Sequence, residues 1–161
     1  MFEVNIYLET SLKGPGTREG WYAAVLEYID RNRHAVTRED FAWEEATTYH
    51  KSTLCALIKA LNRLNASCFI NLYMDSEFVK NSIETNLDRW KENGFVNVKG
   101  EPIKNQEEWR EVARLLSGNK LKFRMTKRNP YSGWMQEEAK KQFGDVTAMV
   151  ENVKNTECDE V

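Results

Sequence analysis

Two acidic residues stand at the ends of apolar, strand-like runs. Glu9 closes the segment that begins at Phe2, and Asp75 follows Ser67-Cys68-Phe69-Ile70-Asn71-Leu72-Tyr73-Met74. An acid at the C-terminal end of a central strand sits where open α/β sheets place their ligands. Asp75 therefore has two readings, a metal ligand or a capping acid ahead of Ser76. Glu9 also has two, a partner carboxylate or a surface acid on a strand whose other face is core. A different chemistry is offered by Lys120, Lys122, Arg124, Lys127 and Arg128, five bases without one acid in nine residues. In an extended chain the first three project from one face. They make either a phosphate track or a sheet edge guarded against aggregation by charge. His50 finds no evident partner in His34 or Cys55 and reads as a histidine on a helix surface. Tyr131 and Trp134, in the loop and helix start that follow the basic run, suggest a segment shaped for contact.

These residues need a scaffold, and its size is that of one domain. The chain has 161 residues, 41% of them hydrophobic and 30% charged, the balance of an ordinary globular protein. No apolar run reaches the roughly 20 residues of a membrane span, and Met1-Phe2-Glu3-Val4 lacks the pattern of a secretory signal. Three cysteines, Cys55, Cys68 and Cys158, show no paired spacing, which points away from disulfides and zinc and toward a reducing, cytoplasmic home. The net charge of −2 is uneven: residues 145–161 carry −4, which leaves +2 on the other 144. The expected organisation is a domain over residues 1–145 followed by an acidic, loosely held segment over 146–161.

Alternation of Val4, Ile6 and Leu8 predicts a strand over 2–9, turn chemistry follows at Gly14-Pro15-Gly16, and further strands are expected over 20–29 and 33–43. Leu54, Leu57, Ile58, Leu61 and Leu64 mark one buried stripe of a helix over 48–65. A strand over 67–74, a helix over 77–91 capped by Ser76 and closed by Gly94, a helix over 105–117, a strand over 119–126 and a helix over 133–144 complete the pattern. The order βββαβααβα, or the same with one more short helix between 76 and 117, implies an α/β fold. Three meandering strands followed by α–β alternation give a five-stranded mixed sheet flanked by helices.

This order resembles type 1 ribonuclease H, and local strings carry the likeness: Ile6-Tyr7 with Ser11, Gly14-Pro15-Gly16, Thr47-Thr48, Asp75-Ser76-Glu77-Phe78-Val79, Trp90-Lys91 with Gly94-Phe95, and Pro102-Ile103-Lys104-Asn105 with Trp109. It spans about residues 3–144. The resemblance implies an RNase H-like fold and cleavage of the RNA strand of RNA–DNA hybrids by two Mg²⁺ ions, whose mutual repulsion several carboxylates must offset. Followed residue by residue, it places the family's first-strand Asp at Glu9, its first-helix Glu at Thr53, its fourth-strand Asp at Asp75, its loop histidine near Asn129 and its last-helix Asp at about Ala139. Glu137 or Glu138 lies one or two places away. Asparagines of the substrate groove become Tyr49 and His50, and a glycine becomes Thr10. A loop that is basic in bacterial members keeps Lys91, Lys99 and Lys104 among Glu92 and Glu101.

The resulting expectation is an RNase H-like protein with little or no nuclease activity. It would bind nucleic acid, as hybrid or duplex, or a protein partner, through a remodelled cleft. Glu9 and Asp75 would hold at most one Mg²⁺ or Mn²⁺ weakly, and Lys104, Lys120, Lys122, Arg124, Lys127 and Arg128 would meet phosphates. One alternative is an active ribonuclease H that uses Glu9, Asp75 and Glu138. Another is a pure protein-interaction module.

Overall fold

In the computed structural model, which describes residues 1–145, five strands form one sheet in the order β3-β2-β1-β4-β5. β1 (Phe2–Thr10), β2 (Arg18–Ile29) and β3 (Ala35–Thr47) form an antiparallel meander, while β4 (Cys68–Met74) and β5 (Lys120–Met125) run parallel to β1. Five helices surround it: α1 (Tyr49–Leu61), α2 (Glu77–Thr85), α3 (Leu87–Asn93), α4 (Gln106–Leu116) and α5 (Ser132–Phe143). This is the expected five-stranded mixed α/β sheet, with the extra short helix. The segment 146–161 and Cys158 lie outside the described residues.

Alternation in β1 sorts its side chains between two packed layers. Val4, Ile6 and Leu8 face the larger core, where α1 contributes Leu54, Leu57 and Leu61, and α4 contributes Trp109 and Val112. Trp90 and Phe95 are buried in the same core, with Trp90 tilted against Trp109 at 5.3 Å. Tyr7 faces the other way, into a smaller cluster with Trp21, Ala23, Val25, Met135 and Ala139, covered by α5. Glu9 lies on this second face, next to Tyr7 along the strand.

Several boundaries differ from the sequence pattern for local reasons. β3 continues to Thr47, and Thr48 then caps α1, its hydroxyl accepting a hydrogen bond from Lys51 N at 3.2 Å. α1 stops at Leu61 instead of 65 because the chain tightens there, with Arg63 N bonded to Ala60 O and Leu64 N to Leu61 O. The helix expected over 77–91 breaks at Asn86, whose backbone closes α2 and opens α3. Ser76 caps α2 as expected, accepting from Val79 N at 3.1 Å.

Candidate active site

Because β1 and β4 are parallel neighbours in register, with Tyr7 opposite Tyr73, their C-terminal ends deliver Glu9 and Asp75 to the same edge of the sheet. Both line a small cavity with Thr10, Lys13, Tyr49, Thr53 and Met74. Its free volume is about 20 Å³, roughly the space of one water molecule. Asp75 is exposed, whereas Glu9 is only 7% exposed. The reading of Glu9 as a surface acid therefore fails, because the start of α5 closes over this face of β1. Burial pushes the Glu9 carboxyl above its ordinary range, against the opposing pull of Lys13, the Ser132 hydroxyl and Arg128. Its Oε2 is buried with no hydrogen-bond partner, and Oε1 lies 3.9 Å from Lys13 Nζ.

The neighbouring positions Thr53 and Thr10 hold hydroxyls. Thr53 is buried on α1, and its Oγ1 donates to Tyr49 O at 2.8 Å, so it satisfies its own helix. Thr10 is built into the scaffold as well. Its Oγ1 bonds Trp21 O at 3.2 Å and Ser52 Oγ at 2.7 Å, tying the end of β1 to α1. Tyr49, beside the two carboxylates, has its phenol raised to about 12, by burial first and then by Asp75 and Glu9.

α5 reaches the site through Ser132, which sequence reasoning passed over. Ser132 is 1% exposed, faces Glu9, and accepts a hydrogen bond from Asn129 N at 2.9 Å. The signal for it lies in the spacing of Ser132, Met135 and Ala139, the buried stripe of α5. Ala139 is the far end of that stripe, fully buried among Tyr7, Trp21 and Val25, and is not the position that meets the site. Glu138 is not brought there either. It lies six residues along the helix from Ser132, about 9 Å at 1.5 Å per residue, and is half-exposed with Lys141 Nζ 3.9 Å away. A carboxylate set of Glu9, Asp75 and Glu138 is thus not assembled. Asn129, near which the resemblance places the family's loop histidine, is buried and accepts at its Oδ1 from Tyr131 N at 2.8 Å, shaping the turn into α5.

Beside this cavity opens a larger cleft of about 600 Å³, lined by Lys13, the Gly14–Gly16 loop, Thr48, Tyr49, His50, Asp75 and Lys104. Gly14 and Gly16 hold φ of 78° and 104°, a region that side chains disfavour, so this wall depends on glycine. The other expected phosphate contacts lie apart from the cleft. Lys120, Lys122 and Arg124 are exposed along β5, an edge strand, opposite Phe69, Asn71 and Tyr73 of β4. Lys127 and Arg128 are exposed in the turn between β5 and α5, where Arg128 influences Glu9.

A family model for RNase H matches residues 2–128. The chain belongs to the RNase H family. The match ends before α5, the element whose site-facing residue is Ser132. Among named relatives, the chain is 34% identical over 125 residues to a ribonuclease H of Wolbachia sp. subsp. Drosophila simulans, covering 78% of this chain and 82% of that one. It is 30% identical over 162 residues to a ribonuclease H of Moorella thermoacetica, covering 100% and 90%. Its fold is similar to a crystallised type 1 RNase H that carries the type 2 active-site motif, with a TM-score of 0.68, 20% identity, and coverage of 88% of this chain and 70% of the other.

Two divalent ions do not fit the donor set of this RNase H-family site. Two such ions need several carboxylates to offset their repulsion. Among the described residues no group of three or more His, Cys, Asp or Glu side chains gathers to hold a metal ion. The cavity is small, and the Lys13 ammonium already stands by Glu9.

Proposed function

We propose that this RNase H-family protein binds nucleic acid, as RNA–DNA hybrid or duplex, and does not cleave it efficiently. The observation that carries the reading is the composition of the site. Asp75 is its one exposed acid, Glu9 is buried and biased toward its neutral form, and Thr53 and Ser132 supply hydroxyls. Preorganised charge usually contributes several kcal/mol to the transition state of such displacements, and here half of it is missing. The exposed bases of β5 and the turn after it supply phosphate contacts, which dominate sequence-independent affinity. A single Mg²⁺ or Mn²⁺ shared weakly by Glu9 and Asp75 is part of the proposal, since Oε2 of Glu9 is an oxygen donor without a partner. A reducing, cytoplasmic setting is proposed on the free thiols of Cys55 and Cys68.

A second reading is favoured by the named relatives, which are ribonucleases H at 30–34% identity: hybrid cleavage with a remodelled site. A labelled RNA–DNA hybrid with Mg²⁺ or Mn²⁺ separates the two. The expected result is salt-sensitive binding with no cleavage above background. Cleavage abolished by Asp75→Asn would establish the second reading. Neither cleavage nor salt-sensitive binding would leave the cleft as a protein-docking surface.

A further inference from the structure

The wall of the cleft beside Asp75 carries two rings, Tyr49 and His50, and a third, Phe78, packs against His50 at its margin, a row that phosphate binding alone does not explain. Tyr49 and His50 open α1, their rings 5.5 Å apart edge to face, and His50 lies 4.4 Å from Phe78 of α2. Phe78 is 49% exposed, and Tyr49 and His50 are half-buried at the cleft wall. His50 Nδ1 lies 3.3 Å from Ser76 Oγ, which fixes the orientation of the ring. Lys13 and Lys104, both exposed, line the same cleft.

We propose that this cleft binds an unpaired nucleic-acid strand, its bases stacked on Tyr49, His50 and Phe78 and its phosphates held by Lys13 and Lys104. The proposal rests on the reading of this protein as a nucleic-acid binder and specifies which form of nucleic acid enters the cleft. Bases in a duplex are already stacked and paired, so their faces are closed to side chains. Unpaired bases are splayed and can stack on aromatic rings at about 1–3 kcal/mol each. The volume of about 600 Å³ falls within the ~300–1,000 Å³ usual for ligand clefts. Burial, and then Lys104, bias His50 toward its neutral form, so the row acts through its ring faces while the two lysines carry the charge. Asp75, which also lines the cleft, repels phosphate and favours a backbone path along Lys13 and Lys104. The basic strand β5 lies elsewhere and remains available to paired nucleic acid.

The test is fluorescence anisotropy on the full chain with short labelled single-stranded RNA, the same sequence as DNA, and a blunt RNA–DNA hybrid. Wild type is expected to bind the single strands. Tyr49→Ala and Phe78→Ala should each weaken that binding by about five- to hundredfold, more than they weaken hybrid binding, and Tyr49→Phe should restore it. RNA and DNA bound alike would identify stacking as the shared chemistry, and a preference for RNA would add contact with its 2′-hydroxyls. Phe78→Ala, at an exposed position, decides the matter where Tyr49→Ala fails to fold. Wild type that binds hybrid and no single strand overturns the inference alone, as does single-strand binding unchanged in Phe78→Ala and Tyr49→Ala. Single-strand binding without hybrid binding overturns the hybrid reading and supports this one.

Discussion

Glu9, buried, and Glu27, half-buried, lie on one face of the sheet, and their surroundings push them in opposite directions. Glu9 has its carboxyl raised by burial, so the folded state pays for its charge above the ordinary carboxylate range and gains nothing from it in acid. Glu9→Gln, which removes the buried charge, is therefore expected to raise Tm near pH 8, with the gain shrinking near pH 4. Thermal melts at the two pH values check the sign. Burial also pushes Glu27 up, but hydrogen bonds from Tyr131, Asn5 and Tyr7 outweigh it and hold the carboxyl below its usual range. Its stabilisation is present above the unfolded-state pKa and is lost as pH falls. Tyr131→Phe removes the bond from the turn that leads into α5. It should cost about 1 kcal/mol near neutrality, a modest figure because both groups are partly exposed, and less in acid. Denaturant titration at the two pH values measures it, and an equal loss at both would count against the carboxylate's role.

At the scale of elements, β5 is the one whose two faces do different work. Leu121, Phe123 and Met125 pack half-buried against the main core, while Lys120, Lys122 and Arg124 stay exposed. Position at the sheet edge makes the charges useful against strand pairing, and their spacing makes them useful to phosphates. Changing the three to Glu is expected to weaken hybrid binding and to flatten the slope of log affinity against log salt by roughly three. The fold should be unaffected because the apolar face is untouched. Unchanged slope would assign β5 to edge protection alone. α5 shows the converse case. Its stripe Ser132, Met135, Ala139 fixes which residue meets Glu9.

At the scale of the molecule, two cores flank one sheet among the described residues 1–145. A chain ending at Asp145 is expected to melt within about 2 °C of the full chain, a difference under ~1 kcal/mol. A larger drop would mean that residues 146–161 belong to the folded unit. The site, by contrast, exists only between elements. Glu9, Thr53, Asp75 and Ser132 come from β1, α1, the end of β4 and α5, and no two of them are close in sequence.

Local spacing and residue type determined the sheet, the order of elements and the cap at Ser76, because strands, helices and their starts are written in short stretches of chain. The resemblance to ribonuclease H placed the family's first-helix acid at Thr53, because that position follows the Thr47-Thr48 pair at the family's distance. The tertiary structure decided what local spacing cannot encode. Glu9 is buried because α5 crosses a face that β1 alone leaves open. Ala139 is core and Ser132 is at the site because the rotation of α5 is set by packing against Tyr7, Trp21 and Val25. The row of Tyr49, His50 and Phe78 forms because α1 and α2 lie side by side, 28 residues apart in the chain between His50 and Phe78.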